Sequence, residues 1–95
     1  MKLPIPISFE WDANNKDKNW QKHTILYKEI EEVFFNRPVK FYADLRHSVV
    51  EKRYVALGQS DRAVKLCVIF TIRNNRIRVV SARMQSKKER RSYEK

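Results

Sequence analysis

The residues best suited to chemistry in this chain are basic, and most of them sit near its end. From Arg73 to Lys95, nine Lys or Arg stand against Glu89 and Glu94, so this stretch holds +7 of the chain's formal +10. Such a density of cations, with a pI near 10.1, points to a polyanionic partner, nucleic acid above all or else an acidic protein. Arginine's planar fork matches phosphate geometry, which makes Arg53, Arg78 and Arg83 candidates to stabilise a charged pentavalent phosphorus. The plain alternative for each is solvated charge on a sheet. Cleavage of RNA without a metal also needs a base for the ribose 2′-OH and an acid for the departing oxygen. His47, in the irregular segment Asp44 to Ser48, is of the type that changes charge near neutral pH, although an exposed loop histidine is the simpler reading. Glu51 and Arg53 lie two apart at the start of a strand, so they share a face and can pair near His47. Tyr93 lies four residues after Glu89 on one helix face, where it could stack on a base, help move a proton, or simply dock the last helix.

Other chemistries are disfavoured. The chain has one glycine, hence no phosphate-binding glycine loop, and no Cys or His cluster at metal-ligand spacing, so neither a cofactor nor a metal site is expected. Cys67 is the only cysteine and lies among apolar residues, which excludes an internal disulfide and reads as buried, reduced and cytosolic. The start, with Pro4 and Pro6 and an acidic pair, lacks the apolar run of an export signal, so a cytoplasmic location is expected. Mean hydropathy of -0.69 argues against an integral membrane protein, and the absence of a basic amphipathic helix makes a membrane surface the weaker partner.

The elements that must position these side chains follow from periodicity. Ile7, Phe9 and Trp11 alternate with Ser8 and Glu10, predicting a short half-buried strand. Asp12 fits an N-cap for a helix over Ala13 to His23, with Ala13 and Trp20 on one face. A second helix is predicted from Leu26 to Phe35, where Leu26, Ile30, Val33 and Phe34 recur at helical spacing and Glu29, Glu31 and Glu32 fill the other side. Strands are predicted over Val39 to Ala43, Arg53 to Leu57, Val64 to Arg73 and Arg76 to Ala82, with turns at Gly58 to Arg62 and Asn74-Asn75. Residues 66 to 70, apolar on both faces, mark a central strand. On the last strand Arg76 and Arg78 share one face and Ile77 and Val79 the other. Ser86-Lys87-Lys88-Glu89 is a capping box that opens a basic C-terminal helix. The expected fold is a single α+β domain over residues 1–95: a short N-terminal strand, two helices, an antiparallel β-meander and the basic helix.

Taken together these segments resemble the BrnT family of ribonuclease toxins from type II toxin-antitoxin systems. The likeness runs through FEWD at Phe9 to Asp12, Asn19, Lys22-His23, Glu32-Val33-Phe34-Phe35 with Pro38, Asp44 and His47, Glu51-x-Arg53-Tyr54, Gly58-x-Ser60, Arg76 to Arg83, Glu89-Arg90 and Tyr93. Where the family usually has Pro, Gly and a Ser cap, this chain has Ala13, Thr24 and Leu26. The resemblance implies a RelE-like fold, metal-independent RNase activity that blocks translation, and neutralisation by a BrnA-like antitoxin. That antitoxin's dimer would carry the toxin in a heterotetramer and bind promoter DNA. On this reading Arg53, Arg78 and Arg83 hold the phosphate, His47, Glu51 or Tyr93 exchange protons, and Lys22, His23, Arg76, Lys87 and Arg90 contact RNA. The alternative is a non-catalytic basic module that binds RNA or only its antitoxin.

Overall fold

A computed structural model describes residues 2–16, 24–47 and 50–95, with His47 described by its backbone. Four strands, β1 (Lys40–Ala43), β2 (Tyr54–Gln59), β3 (Lys65–Arg73) and β4 (Arg76–Met84), form an antiparallel meander in chain order. Helix α1 is described over residues 13–16, α2 spans Tyr27–Val33 and α3 spans Lys87–Tyr93. A single 3-10 turn, Leu45–His47, follows β1.

One sheet face carries the main core. Leu66, Val68 and Phe70 of β3 and Ile77, Val79 and Ala82 of β4 are buried there against Ile30 and Val33 from α2 and Phe34 just after it. Phe70 makes edge contacts with Phe34 and Phe41, at 5.1 and 6.2 Å between ring centres, geometry that aromatic pairs favour. The lone glycine is explained by this packing: a Cβ on Gly58 would stand 2.7 Å from Val33 Cγ1 and 3.2 Å from the Val33 carbonyl oxygen. Any side chain there would push α2 off the sheet.

The differences from expectation have local causes. The N-terminal strand is reduced to one parallel bridge, Phe9 with Ile77, fixed by Ile77 N–H to Ser8 O (2.9 Å) and Glu10 N–H to Ile77 O (2.8 Å). Asp12 does cap α1, accepting from Asn15 N–H at 2.8 Å, while the rest of the predicted helix through His23 lies outside the described residues. Leu26 is not on the apolar face of α2. It is the residue before it, 49% exposed. Glu29 is not on the solvated side either, being buried, paired with Arg62 at 3.0 Å and accepting from Leu26 N–H at 3.4 Å. Glu29 thus supplies its own half of a capping box, while the Glu29 N–H that a capping side chain would take donates to Leu26 O at 2.9 Å. β2 runs two residues further than predicted, to Gln59, and the turn closes on Ser60 instead, whose hydroxyl accepts from Val64 N–H. Asn74 and Asn75 both adopt positive φ (53° and 58°), as a type I′ turn requires.

β4 holds a feature that period-two reasoning alone would miss. Ile69 pairs with Ser81 but Phe70 pairs with Val79, so Val80 is an extra residue, a β-bulge. Upstream of it, even-numbered Arg76 and Arg78 point away from the core. Downstream, odd-numbered Ser81 and Arg83 do. Strict alternation would have sent Arg83 to the core side with Ile77 and Val79. The bulge keeps all three arginines of β4 on the second face.

Candidate active face of the sheet

The register builds the second face as rows that cross the strands. The first row is Lys40, Leu57, Cys67 and Arg83, and the second is Tyr42, Val55, Ile69 and Ser81. The third holds Thr71 and Arg78, joined by Arg53 one residue ahead of β2. Helix α3 closes the first row. Its Tyr93 is buried against Leu57 and Cys67 and donates its hydroxyl to Pro38 O at 2.6 Å, while Lys40 Nζ donates to Ser92 O and Lys65 pairs with Glu94. Seven residues make a helix too short to stand alone, so these contacts hold it in place. Beyond α3 the second row stays accessible: Tyr42 is exposed and Val55, Ile69 and Ser81 are half-buried.

The predicted site residues do not all gather at one point. Arg78 and Arg83 share the face, but four residues of β3, from Cys67 to Thr71, separate their partners, roughly 13 Å along the strand. Arg78 is held by two carboxylates, Glu10 at 3.0 Å and Asp12 at 3.1 Å. Arg76 donates to the Phe9 carbonyl. The FEWD segment is therefore a clasp: Phe9 packs on Phe34, Glu10 and Asp12 take Arg78, and Trp11 donates its indole N–H to Glu31 at 2.8 Å. Arg83 makes a two-pronged pair with Glu89, at 2.7 and 2.9 Å.

Glu51 is paired with Arg73 at 3.2 Å, at the far end of the face. His47 closes the 3-10 turn, three residues after Asp44, whose N–H donates to the Arg53 carbonyl at 2.8 Å. The residue leading into that turn is thus tied to the Arg53 end of the face. Tyr93 is buried with its hydroxyl engaged, so docking is the role its position gives it, and a part in stacking or proton transfer does not fit. Lys87 and Arg90 are exposed and line a groove with Lys65 and Arg91 along α3. Lys22 and His23 lie outside the described residues.

The electrostatics follow the pairs. The Arg83 guanidinium, bonded to Glu89, holds that carboxyl down at about 2, helped by the Ser86 N–H, and Glu89 in turn raises Arg83. The Asn15 N–H and then Arg78 lower Asp12. Burial pushes the Cys67 thiol up to about 11, which keeps it protonated and inert, and raises the Tyr93 hydroxyl as well. Sequence reasoning treated Glu89 only as a cap. That it also grips Arg83 depends on how the chain turns from β4 into α3, which no spacing rule encodes. Among the described residues no three His, Cys, Asp or Glu side chains gather as metal ligands would.

A sheet face whose accessible row is flanked by arginines, beside a docked basic helix, can hold a phosphate chain, and comparison with known families gives that face a context. The family model described as "Ribonuclease toxin, BrnT, of type II toxin-antitoxin system" matches residues 11–89. This chain belongs to the BrnT family. No curated protein matches it. BrnT is a ribonuclease toxin family, and a type II system pairs each toxin with an antitoxin protein. The match takes in β1 to β4 and the second face, together with the start of α3 through Glu89. No helix among the described residues is long and apolar enough to cross a membrane.

Proposed function

We propose that this BrnT chain is a metal-independent endoribonuclease that inhibits translation by cutting RNA on the part of the second sheet face left accessible by α3. The ribose 2′-oxygen attacks the adjacent phosphorus and the bond to the 5′-oxygen breaks, leaving a 2′,3′-cyclic phosphate and a 5′-hydroxyl. Arg53 and Arg83 flank the accessible row and stabilise the charged phosphorane. His47, on the turn tied to Arg53, exchanges protons, with Glu51 the next candidate from the same connection. Arg78 positions the N-terminal clasp and Tyr93 docks α3, so neither is assigned to the reacting atoms. Arg76, Lys87 and Arg90 contact flanking phosphates, joined by Lys22 and His23. The layout is read as RelE-like and the protein as cytoplasmic.

The observation that carries this reading is the bulge at Val80, which keeps Arg83 on the same face as Arg53 and Arg78. A BrnA-like antitoxin, whose dimer builds a heterotetramer and reads promoter DNA, neutralises the toxin by laying acidic side chains over that face. The Arg83–Glu89 pair models such a contact, since carboxylate and phosphate compete for the same guanidinium fork. The same observation favours the second reading, a non-catalytic chain that only binds RNA or its antitoxin. Primer-extension mapping of cellular RNA after induction separates the two. The enzyme yields new 5′ ends that vanish with Arg83→Ala, whereas a binding module yields none in either form. Purified protein is expected to cut in EDTA, and a requirement for divalent metal would overturn metal independence.

A further inference from the structure

Beside Arg53, at the β1 edge of the sheet, lies a cleft of about 770 Å³, lined by Tyr42 and Arg53 from the second face, by Phe41 and Tyr54 from the core side, and by Leu45 and Lys52. That volume is in the range of pockets that seat small ligands, about 300–1,000 Å³. Two of its walls are apolar and exposed to solvent, Tyr42 at 44% and Leu45 at 84%. Two are cationic, and Arg46 beside them is exposed as well. Tyr42 pairs with Val55 across β1 and β2, so Arg53, two residues on, is its diagonal neighbour on the same face, with Cβ atoms roughly 7 Å apart. The Tyr42 hydroxyl lies 3.3 Å from Ser92 Oγ, which holds the ring against the end of α3.

We infer that this cleft is a nucleobase subsite: one unstacked base of single-stranded RNA lies on the Tyr42 ring while the neighbouring phosphates run over Lys52 and Arg53. The inference rests on the ribonuclease reading above and adds to it the residue that sets where the cut falls. An exposed aromatic ring flanked by cations is what sequence-tolerant binding of single strands needs, since every base has a face to stack and every nucleotide a phosphate to neutralise. An acidic polypeptide would use the cations but has no need of a flat ring beside them. Because Arg53 borders both the cleft and the proposed cleavage row, the base on Tyr42 belongs to a nucleotide next to the scissile phosphate.

The test is equilibrium binding of 2′-O-methyl RNA oligonucleotides, which cannot be cut, with one abasic position moved along the strand. With the wild-type protein, one abasic position is expected to weaken binding by about 5- to 150-fold, the cost of losing one stacked base. Tyr42→Ala is expected to weaken binding of the intact strand by a similar factor and to make that abasic position neutral, while Tyr42→Phe behaves as wild type. Tyr42 is exposed, and thermal melting would verify that both variants fold. If Tyr42→Ala keeps the wild-type penalty at the same abasic position, the subsite is overturned while RNA cleavage stands. If the wild-type protein binds none of the oligonucleotides, the ribonuclease reading falls and takes the subsite with it. Loss of binding to an acidic peptide but not to RNA in Tyr42→Ala would assign the cleft to a protein partner and overturn the proposal.

Discussion

The two ends of β4 each present an arginine on the same sheet face, and their surroundings differ in a way that separates support from chemistry. Arg78 faces two carboxylates, Glu10 and Asp12, both from the N-terminal segment that it fastens to the sheet edge. Charge there is overcompensated, so a phosphate gains little by approaching. Arg83 faces one carboxylate, Glu89, on a seven-residue helix held by a handful of contacts. One pair can be exchanged for a phosphate with the fork geometry kept; two carboxylates bound to the polypeptide on both sides of Arg78 cannot be exchanged so simply. An arginine's availability is set by the acids that converge on it, not by which face it occupies.

The largest effect expected from this contrast is on cleavage. Arg83→Ala should lower the rate of RNA cleavage by about 100- to 1,000-fold, as when a transition-state donor is lost, while stability falls only by the modest share that the Glu89 pair contributes. Arg78→Ala should do the reverse. It leaves Glu10 and Asp12 without their cation and costs roughly 1–2 kcal/mol, a fall in Tm of about 5–10 °C, while cleavage by the folded protein changes by less than about tenfold. Equal loss of cleavage in the two variants would erase the distinction between the ends.

Glu89→Gln sharpens it further. The variant loosens the grip on Arg83, so binding of single-stranded RNA should tighten severalfold in a fluorescence titration. The same pair leaves a mark on pH dependence. Glu89 titrates near 2 in the folded chain against an ordinary 4.5, so its contribution to stability is complete above about pH 4.5 and is lost as pH falls from there towards 2. Thermal melts across that window should slope less steeply for Glu89→Gln than for wild type.

The smallest expected effect lies outside both ends. Thr24 has φ of 57°, a left-handed conformation that costs a β-branched residue about 1–2 kcal/mol. Glycine adopts this conformation without a Cβ penalty, and glycine is the residue the family resemblance leads one to expect here. Thr24→Gly should raise Tm by a few degrees in calorimetry, by about 1 kcal/mol of relieved strain, and leave cleavage unchanged.

Much of this was legible from residue order. Alternation in Ile77 to Val79, the apolar run from Leu66 to Phe70 and the Asn74-Asn75 turn specified the meander, because strand faces and tight turns are local properties. The capping box at Ser86 marked α3 for the same reason. What could not be read was long-range. Nothing in the spacing of Glu10, Asp12 and Arg78 reveals that 66 and 68 residues of chain fold them together. The extra residue, Val80, is β-branched like Val79 before it, so the bulge left no compositional trace, although it decides which face Arg83 occupies. Tyr93 shows the opposite limit: its helix position was clear, but whether it docks or reacts depends on the Pro38 carbonyl waiting across the sheet.

The most direct measurement for the central claim is NMR mapping of side-chain and amide shifts as a non-cleavable single-stranded RNA is titrated into the protein. The account predicts that shifts concentrate on Tyr42, Arg53, Ile69, Ser81 and Arg83, with Arg78 and its two carboxylates little changed. Shifts confined to α2 and the N-terminal clasp, with the second face silent, would contradict it.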